Sequence, residues 1–159
     1  MKTNGNNNNH HALTFMIFGG TGDLTHRKLL PALYHLVAEG QLPEEASFLA
    51  IGRRGLSEEE YRNQARESIK EHSRTQVIEE HLARFLDKLQ YHQMEFISQP
   101  DSYKGFKERL EGIEQGFSKP AIRIFFLAVG PEHFSPIVTH LSEHHLVKRG
   151  DINHRVMIE

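Results

Sequence analysis

Three closely spaced glycines carry the clearest chemical signal in the chain. Gly19, Gly20 and Gly22 follow an apolar run over residues 13–18 and precede a segment with helical periodicity. Glycines allow the backbone to turn tightly and to approach a pyrophosphate closely. The helix that follows directs free N–H groups and a partial positive charge at the anion. The pattern therefore predicts a nucleotide-binding loop made of Gly19, Gly20, Thr21, Gly22, Asp23 and Leu24.

The spacing of this loop departs from the usual dinucleotide fingerprint, because Thr25 stands where a third glycine is expected. A glycine fingerprint alone is weak evidence. The alternative is a turn that merely links a strand to a helix. The apolar strand before the loop and the helix after it favour the nucleotide hypothesis.

Two adjacent arginines give the second chemical signal. Arg53 and Arg54 follow the apolar run over 47–51, where NAD-binding folds place a carboxylate that accepts hydrogen bonds from a ribose. A guanidinium makes charge-assisted contacts with phosphate, whereas a carboxylate would repel a 2′-phosphate. The two arginines therefore favour NADP over NAD, unless they are ordinary charges of an exposed loop.

The histidines invite a metal hypothesis. His140 and His144 are separated by four residues on one predicted helix, which is a spacing of metal ligands. No third ligand and no general base accompany them, so we interpret them as solvated side chains and predict no metal site.

The acidic run over 58–60 is explained by a helix N-terminus, which favours negative charge.

The composition limits the classes of function. With 159 residues, 38% of them hydrophobic, the chain can form one domain with a sizeable core, and its net charge of −2 gives no field that would attract nucleic acid or an anionic membrane. It has no cysteine, which fits a reducing compartment. Residues 1–11 are interpreted as a disordered polar tail, and 12–159 as one nucleotide-binding domain.

Apolar strands and amphipathic helices alternate along that domain. Strands are predicted over 13–18, 47–51, 89–96, 122–129 and 153–158. Helices are predicted over 23–39, 58–71, 73–86, 102–115 and 136–144. Ser57 with Glu60 predicts a capping box for the second helix, and Ser73 with Gln76 predicts the same device for the third. Pro31 is expected to disturb the start of the first. Near-continuous apolar strands joined by helices predict an α/β, Rossmann-like, doubly wound and mainly parallel sheet with helices on both faces.

With these elements placed, the sequence resembles the glucose-6-phosphate dehydrogenase family over nearly its whole length from Leu13. The matching motifs are a Gly-x-x-Gly-Asp-Leu loop at 19–24, a basic turn with Leu-x-Pro at 27–31, an arginine at 53, an Arg-x-Phe strand and turn at 123–131, and Asn-x-x-Arg-x-x-x-Glu at 153–159. The order and number of these motifs make the resemblance specific.

The resemblance implies a homo-oligomeric enzyme of the pentose phosphate pathway, expected in the cytoplasm, that oxidises glucose 6-phosphate to 6-phosphogluconolactone with hydride transfer to NADP⁺. It implies that Arg53, with Arg54 beside it, holds the 2′-phosphate. Lys28 lies where the family has a lysine facing the active-site cleft, unless it is an exposed helix charge. The resemblance implies that a catalytic and substrate domain lies outside these 159 residues, so the chain alone is expected to bind coenzyme without turnover.

The ends of two strands supply further candidates, because ligands of open α/β sheets lie beyond the carboxyl ends of strands. Val129, Gly130 and Pro131 follow the fourth predicted strand and are expected to shape the nicotinamide side of the crevice. Glu95 and Phe96 lie at the end of the third predicted strand and are expected to line the adenosine side.

Two other functions stay open at this point. One is a stand-alone NADP-binding sensor or regulatory module without catalysis. The other is a single-domain reductase, which needs a Tyr-x-x-x-Lys pair on a helix. Only Tyr103 and Lys107 have that spacing, and they precede the fourth strand, on the wrong helix.

Overall fold

The computed structural model describes residues 10–159, so most of the predicted tail over 1–11 lies outside the described residues. The strands are β1 (Ala12–Phe18), β2 (Ala46–Gly52), β3 (Leu89–Gln93), β4 (Ala121–Leu127) and β5 (His154–Ile158). The α-helices are α1 (Leu30–Ala38), α2 (Glu58–His72), α3 (Glu79–Asp87), α4 (Ser102–Gln115) and α5 (Phe134–Glu143). A π-helical turn over Thr25–Leu29 leads into α1, and a 3₁₀ turn over Pro131–His133 leads into α5.

The strands form one sheet in the order β3-β2-β1-β4-β5, and every neighbouring pair is parallel. The order reverses at β1, because β2 and β3 extend to one side of it and β4 and β5 to the other. This is the strand order of a doubly wound fold. The predicted α/β, Rossmann-like fold class is confirmed.

The two faces of the sheet have separate cores, and β1 contributes to both. Phe15 and Ile17 pack with side chains of α1, α2 and α3. Met16 and Phe18 pack with side chains of α4 and α5. Successive strand residues point to opposite faces, so a strand buried on both faces is mainly apolar, and Thr14 is the one polar residue of β1. The central strand and the glycine loop at its end are therefore held from both sides.

The helix after the glycine loop opens irregularly. It begins at Asp23, widens over Thr25–Leu29, where the Leu30 N–H bonds to the Thr25 carbonyl, and continues as α1. Pro31 in the first turn of α1 has no N–H to donate to the preceding turn. The π-turn accommodates this missing donor, and the predicted disturbance at Pro31 is confirmed.

The helix α2 begins as predicted from its capping box. The Ser57 hydroxyl accepts the Glu60 N–H at 3.0 Å, and the Ser57 N–H donates to the Glu60 carboxylate at 2.8 Å. This box fixes the point at which the loop carrying Arg53 and Arg54 enters the helix.

The predicted start of the next helix at Ser73 is wrong. Ser73 ends α2, with its N–H bonded to the Ile69 carbonyl at 3.0 Å, and α3 begins at Glu79. The residue before α3, Ile78, donates its N–H to the hydroxyl of Tyr34 in α1 at 3.0 Å. A contact between distant parts of the chain thus replaces the local cap that the sequence suggested.

The strand β5 lies at one edge of the sheet and leaves apolar side chains in solvent. Val156 is 37% exposed, Met157 43% and Ile158 60%. In contrast, every residue of β1 and of β2 is buried. The edge formed by β5 is therefore the least covered part of the sheet.

None of the helices over residues 10–159 combines the length and the hydropathy that crossing a membrane would require.

Candidate functional site: a cleft at the ends of β1 and β4

A cleft of about 430 Å³ opens beside the carboxyl ends of β1 and β4, where the strand order reverses. Open α/β sheets bind their ligands at this topological position. The lining combines residues predicted from the sequence with three others. It consists of Gly19, Thr21, Gly22, Arg53, Arg54, Phe96, Val129 and Gly130, together with Ile97, Ala128 and His133.

Gly19 makes the first bend of the glycine loop possible. Its φ is +94°, a left-handed conformation that L side chains rarely adopt. A Cβ at this position would lie 2.3 Å from the carbonyl oxygen of Ala128, just beyond β4. Any side chain at Gly19 would therefore push the loop away from β4 at the floor of the cleft.

Gly20 packs the loop against β2. A Cβ at Gly20 would lie 2.7 Å from the Cβ of Ala50. The Gly20 N–H donates to the carbonyl of Ile51 at 2.8 Å, as does the Gly19 N–H at 3.0 Å. Both amides are therefore engaged within the fold, and these glycines shape the loop rather than supply donors to a ligand.

The backbone N–H groups available to an anion follow Gly19 and Gly20 in the chain, at the start of the helix. The Gly22 carbonyl accepts the first helical hydrogen bond, from the His26 N–H at 3.2 Å. Asp23 and Leu24 consequently occupy the first helical turn, whose N–H groups have no partner within a helix. A Cβ at Gly22 would meet only the Gly19 carbonyl oxygen, at 3.4 Å, with open space beyond. This helix start can receive a phosphate group.

Thr25 stabilises the loop in a way that the sequence pattern did not predict. Its fully buried hydroxyl donates to the Gly19 carbonyl at 2.8 Å. The same carbonyl accepts the Gly22 N–H at 3.1 Å. The threonine in place of a third glycine therefore adds a hydrogen bond at the bend. This departure from the fingerprint was the feature of the sequence that could have indicated the bond.

Two buried tyrosines form hydrogen bonds to the glycine loop and to the loop that carries Arg53 and Arg54. The Tyr61 hydroxyl, from α2, donates to the Gly20 carbonyl at 2.6 Å, and the Tyr91 hydroxyl, from β3, donates to the Arg54 carbonyl at 2.6 Å. Their rings stack with centroids 4.9 Å apart and an interplanar angle of 17°. Burial raises the pKa of Tyr61, so its hydroxyl stays protonated and keeps donating. Sequence reasoning missed both residues.

Arg53 and Glu95 meet at the rim of the cleft. The guanidinium Nη1 of Arg53 lies 3.5 Å from the Glu95 carboxylate, and the Arg53 side chain is 61% exposed. The other carboxylate oxygen of Glu95 accepts N–H groups of Ile97 at 3.0 Å and Ser98 at 3.4 Å. The Ile97 amide is the main cause that holds the pKa of Glu95 below its ordinary value, with smaller contributions from Ser98 and Arg53. Glu95 itself does not line the cleft.

The remaining predicted residues divide between the wall of the cleft and its surroundings. Phe96 is buried, and its ring meets that of Phe18 edge-on with centroids 5.4 Å apart. Val129 and Gly130 line the cleft, whereas Pro131 begins the 3₁₀ turn behind them. His133, from the same turn, reaches the cleft and was not predicted.

Lys28 lies in a different cleft. That cleft is larger, about 570 Å³, and lies between the start of α1 and the end of α2, where Arg27, His35 and Arg74 also line it. None of the residues that line it belongs to a strand or to the glycine loop, so we place the candidate site in the smaller cleft. Lys28 is exposed and does not line the cleft with Gly19 and Arg53.

His140, His144 and Tyr103 have structural partners. The rings of His140 and His144 lie 5.1 Å and 5.6 Å from the ring of Tyr103, and each histidine has a backbone carbonyl as partner. The Tyr103 hydroxyl is buried and donates to the Phe96 carbonyl at 2.6 Å. Over residues 10–159, no group of three or more His, Asp or Glu side chains could hold a metal ion.

Comparison with known families gives one clear match. Residues 16–159 match the family described as glucose-6-phosphate dehydrogenase, NAD binding domain. The glucose-6-phosphate 1-dehydrogenase of Rhizobium meliloti is 38% identical over 146 residues, which cover 91% of this chain and 28% of the relative. That of Chlamydia muridarum is 36% identical over 132 residues, which cover 82% of this chain and 26% of the relative. The chain thus spans about a quarter of the length of these curated relatives.

Solved structures have the same fold. The crystal structure of a glucose-6-phosphate 1-dehydrogenase from Mycobacterium avium superposes with a TM-score of 0.76 at 24% identity, over 92% of this chain and 29% of that one. A glucose-6-phosphate dehydrogenase in complex with its substrate glucose-6-phosphate also gives 0.76, at 25% identity, over 94% of this chain and 30% of that one.

Proposed function

The chain belongs to the glucose-6-phosphate dehydrogenase family and corresponds to the NAD binding domain of that family. From this premise we propose that it binds NADP⁺ in the cleft at the ends of β1 and β4. The observation that carries the proposal is the meeting of the glycine loop and Arg53 in one cleft. A loop of this kind suits a pyrophosphate, and a guanidinium suits an additional phosphate on the adenosine ribose.

The residues around the cleft fit such a coenzyme. A Cβ at Gly19 or Gly20 would collide with neighbouring backbone or side chains, so the loop requires these glycines to keep its shape. In the proposed division of roles, the amides of Asp23 and Leu24 bind the pyrophosphate, and Arg53 with Arg54 binds the 2′-phosphate. Val129, Gly130 and Pro131 shape the nicotinamide side.

We propose that the whole protein oxidises glucose 6-phosphate to 6-phosphogluconolactone, a reaction of the pentose phosphate pathway. When bound, the nicotinamide accepts the hydride, and the residues of this chain bind and orient the coenzyme. The general base and the sugar-phosphate contacts would come from sequence outside these 159 residues, since the chain spans only 28% of its Rhizobium relative. A homo-oligomer in the cytoplasm is part of the same proposal.

Calorimetric titration of the 159-residue chain with NADP⁺ and NAD⁺ tests the coenzyme proposal. We expect NADP⁺ to bind at least about tenfold more tightly, because a charge-assisted hydrogen bond contributes roughly 1.5–3 kcal/mol. Gly19→Ala should abolish binding, since its Cβ would clash with Ala128.

Gly40→Ala is the matched control. Gly40 also has a positive φ, +70°, but an added Cβ meets nothing within 4 Å there. It carries similar backbone strain without touching the cleft and should leave affinity unchanged. Absence of binding by a folded wild-type chain would refute the proposal. Formation of NADPH from glucose 6-phosphate by the purified chain would refute the assignment of the base to other sequence.

A further inference from the structure

The rim of the cleft carries a guanidinium and a carboxylate, the two kinds of charged group by which proteins distinguish NADP⁺ from NAD⁺. A guanidinium favours a 2′-phosphate, and a carboxylate favours a free 2′-hydroxyl. In this chain the guanidinium of Arg53 follows β2, and a carboxylate from the neighbouring strand end, that of Glu95, lies 3.5 Å from it. The end of β2 therefore carries no acid, and the nearby acid is Glu95, which does not line the cleft but lies against Arg53 at its rim.

The two partners differ in how firmly they are held. One oxygen of Glu95 is bound by two backbone N–H groups, those of Ile97 and Ser98, while the other faces Arg53. The Arg53 side chain is 61% exposed and that of Glu95 34%. The carboxylate is thus a fixed acceptor, and the guanidinium is the longer and freer side chain that can turn away from it.

The carboxylate is ionised at neutral pH, because the Ile97 amide, the Ser98 amide and the Arg53 charge together keep the pKa of Glu95 low. A phosphate bound by Arg53 would lie within a few ångströms of this negative charge. Like charges at such separations repel measurably even near a protein surface. A ribose hydroxyl in the same place would instead donate a hydrogen bond to it.

We propose that Glu95 is a coenzyme-specificity residue that weakens the preference for NADP⁺ and admits NAD⁺ by accepting a hydrogen bond from its ribose hydroxyl. The inference rests on the proposed coenzyme function of the cleft and goes beyond it. It makes the end of β3, rather than β2, the source of the acid that recognises NAD⁺.

Glu95→Gln tests this inference, because the amide oxygen can still accept the N–H groups of Ile97 and Ser98 while the charge is lost. We expect NADP⁺ to bind about threefold more tightly and NAD⁺ about threefold more weakly, so that the ratio of the two dissociation constants changes about tenfold, as exposed charge interactions of this size allow. The gain for NADP⁺ should shrink as salt is added, because salt screens exposed charges.

Glu111→Gln is the matched control, because it removes the same charge from an exposed position in α4. It should leave both dissociation constants unchanged. Glu95→Ala removes the charge without adding an amide, and it gives the same expected direction if Glu95→Gln does not fold, which thermal unfolding by circular dichroism would show.

The outcomes separate this inference from the coenzyme proposal. If the wild-type chain binds neither coenzyme, the proposed function itself fails. If the wild type binds NADP⁺ and Glu95→Gln leaves the ratio unchanged, the specificity role of Glu95 is refuted. If Glu95→Gln weakens NADP⁺, Glu95 positions Arg53 for the phosphate instead, and the inference is again refuted.

Discussion

The guanidinium of Arg53 is the side chain on which discrimination between the two coenzymes most directly depends. We predict that Arg53→Ala weakens NADP⁺ by about tenfold or more while hardly changing NAD⁺, because only the former carries the phosphate that the guanidinium binds. Calorimetric titration measures both constants. Arg84→Ala, at an exposed position of α3 that does not line the cleft, is the control. Equal losses for the two coenzymes would contradict the role given to Arg53.

The positions of the charged and glycine residues could be predicted because each depends on local sequence. Gly19 and Gly20 follow an apolar strand, and Arg53 follows the next one, so adjacent residues determine their places. The contact between Arg53 and Glu95 depends on β2 and β3 pairing in a particular register, over a separation of about forty residues. No local pattern contains that information.

At the scale of elements, the stacked pair Tyr61 and Tyr91 connects α2 and β3 to the two loops of the cleft. We predict that Tyr61→Phe costs about 1–3 kcal/mol of unfolding free energy, because it leaves the buried Gly20 carbonyl without its donor. It should also weaken NADP⁺ severalfold, since the glycine loop loses a support. Urea unfolding and calorimetry measure the two effects.

Tyr34→Phe is a matched control for that experiment. The Tyr34 hydroxyl also has backbone partners, at Ile78, but these lie at the start of α3 and outside the cleft. It should lose stability and keep coenzyme affinity. If both variants lost affinity in proportion to stability, Tyr61 would be no more than a general stabilising residue.

Element boundaries show where local rules suffice. The capping box at Ser57 predicted the start of α2, because both of its hydrogen bonds join residues three apart in the chain. The same rule applied to Ser73 and Gln76 failed, since Ser73 ends α2 and a contact from Tyr34 holds the segment before α3. Competing tertiary contacts decided that boundary, and they are invisible in a single sequence.

At the scale of the whole molecule, two half-buried histidines, His26 and His92, link stability to pH. Burial is the main cause that lowers the pKa of His26 and of His92 below about 6.5. For His26, Asp23 opposes this shift, whereas Arg54 and His72 add to it. Below about pH 6.5 the unfolded chain therefore binds more protons than the folded chain. The contribution of these histidines to the free energy of unfolding is fully present above that pH and is lost as the pH falls below it.

We predict a lower free energy of unfolding at pH 5.5 than at pH 7.5. His26→Gln keeps a hydrogen-bonding side chain beside Ser68 but does not titrate, and it should show a smaller loss between these two pH values. Urea unfolding of both proteins at each pH measures the difference. An equal loss in the variant would show that other groups cause the pH dependence.

The doubly wound topology is the part of the molecule that the sequence predicted most completely. Alternation of apolar strands and amphipathic helices is a property of the whole chain, and it does not depend on any single boundary. The strand order then brings the ends of β1 and β4 together, which turns two separate motifs into one cleft. The tyrosines behind that cleft depend on the same topology and could be found only from it.

The uncovered strand β5, with Val156, Met157 and Ile158 partly in solvent, has a practical consequence for every measurement suggested above. An apolar sheet margin of this kind can pair with a second molecule, so binding and unfolding data depend on protein concentration wherever such pairing occurs. Sedimentation velocity across a dilution series would identify the range in which the chain is monomeric. Thermodynamic constants for this protein belong to that dilute range.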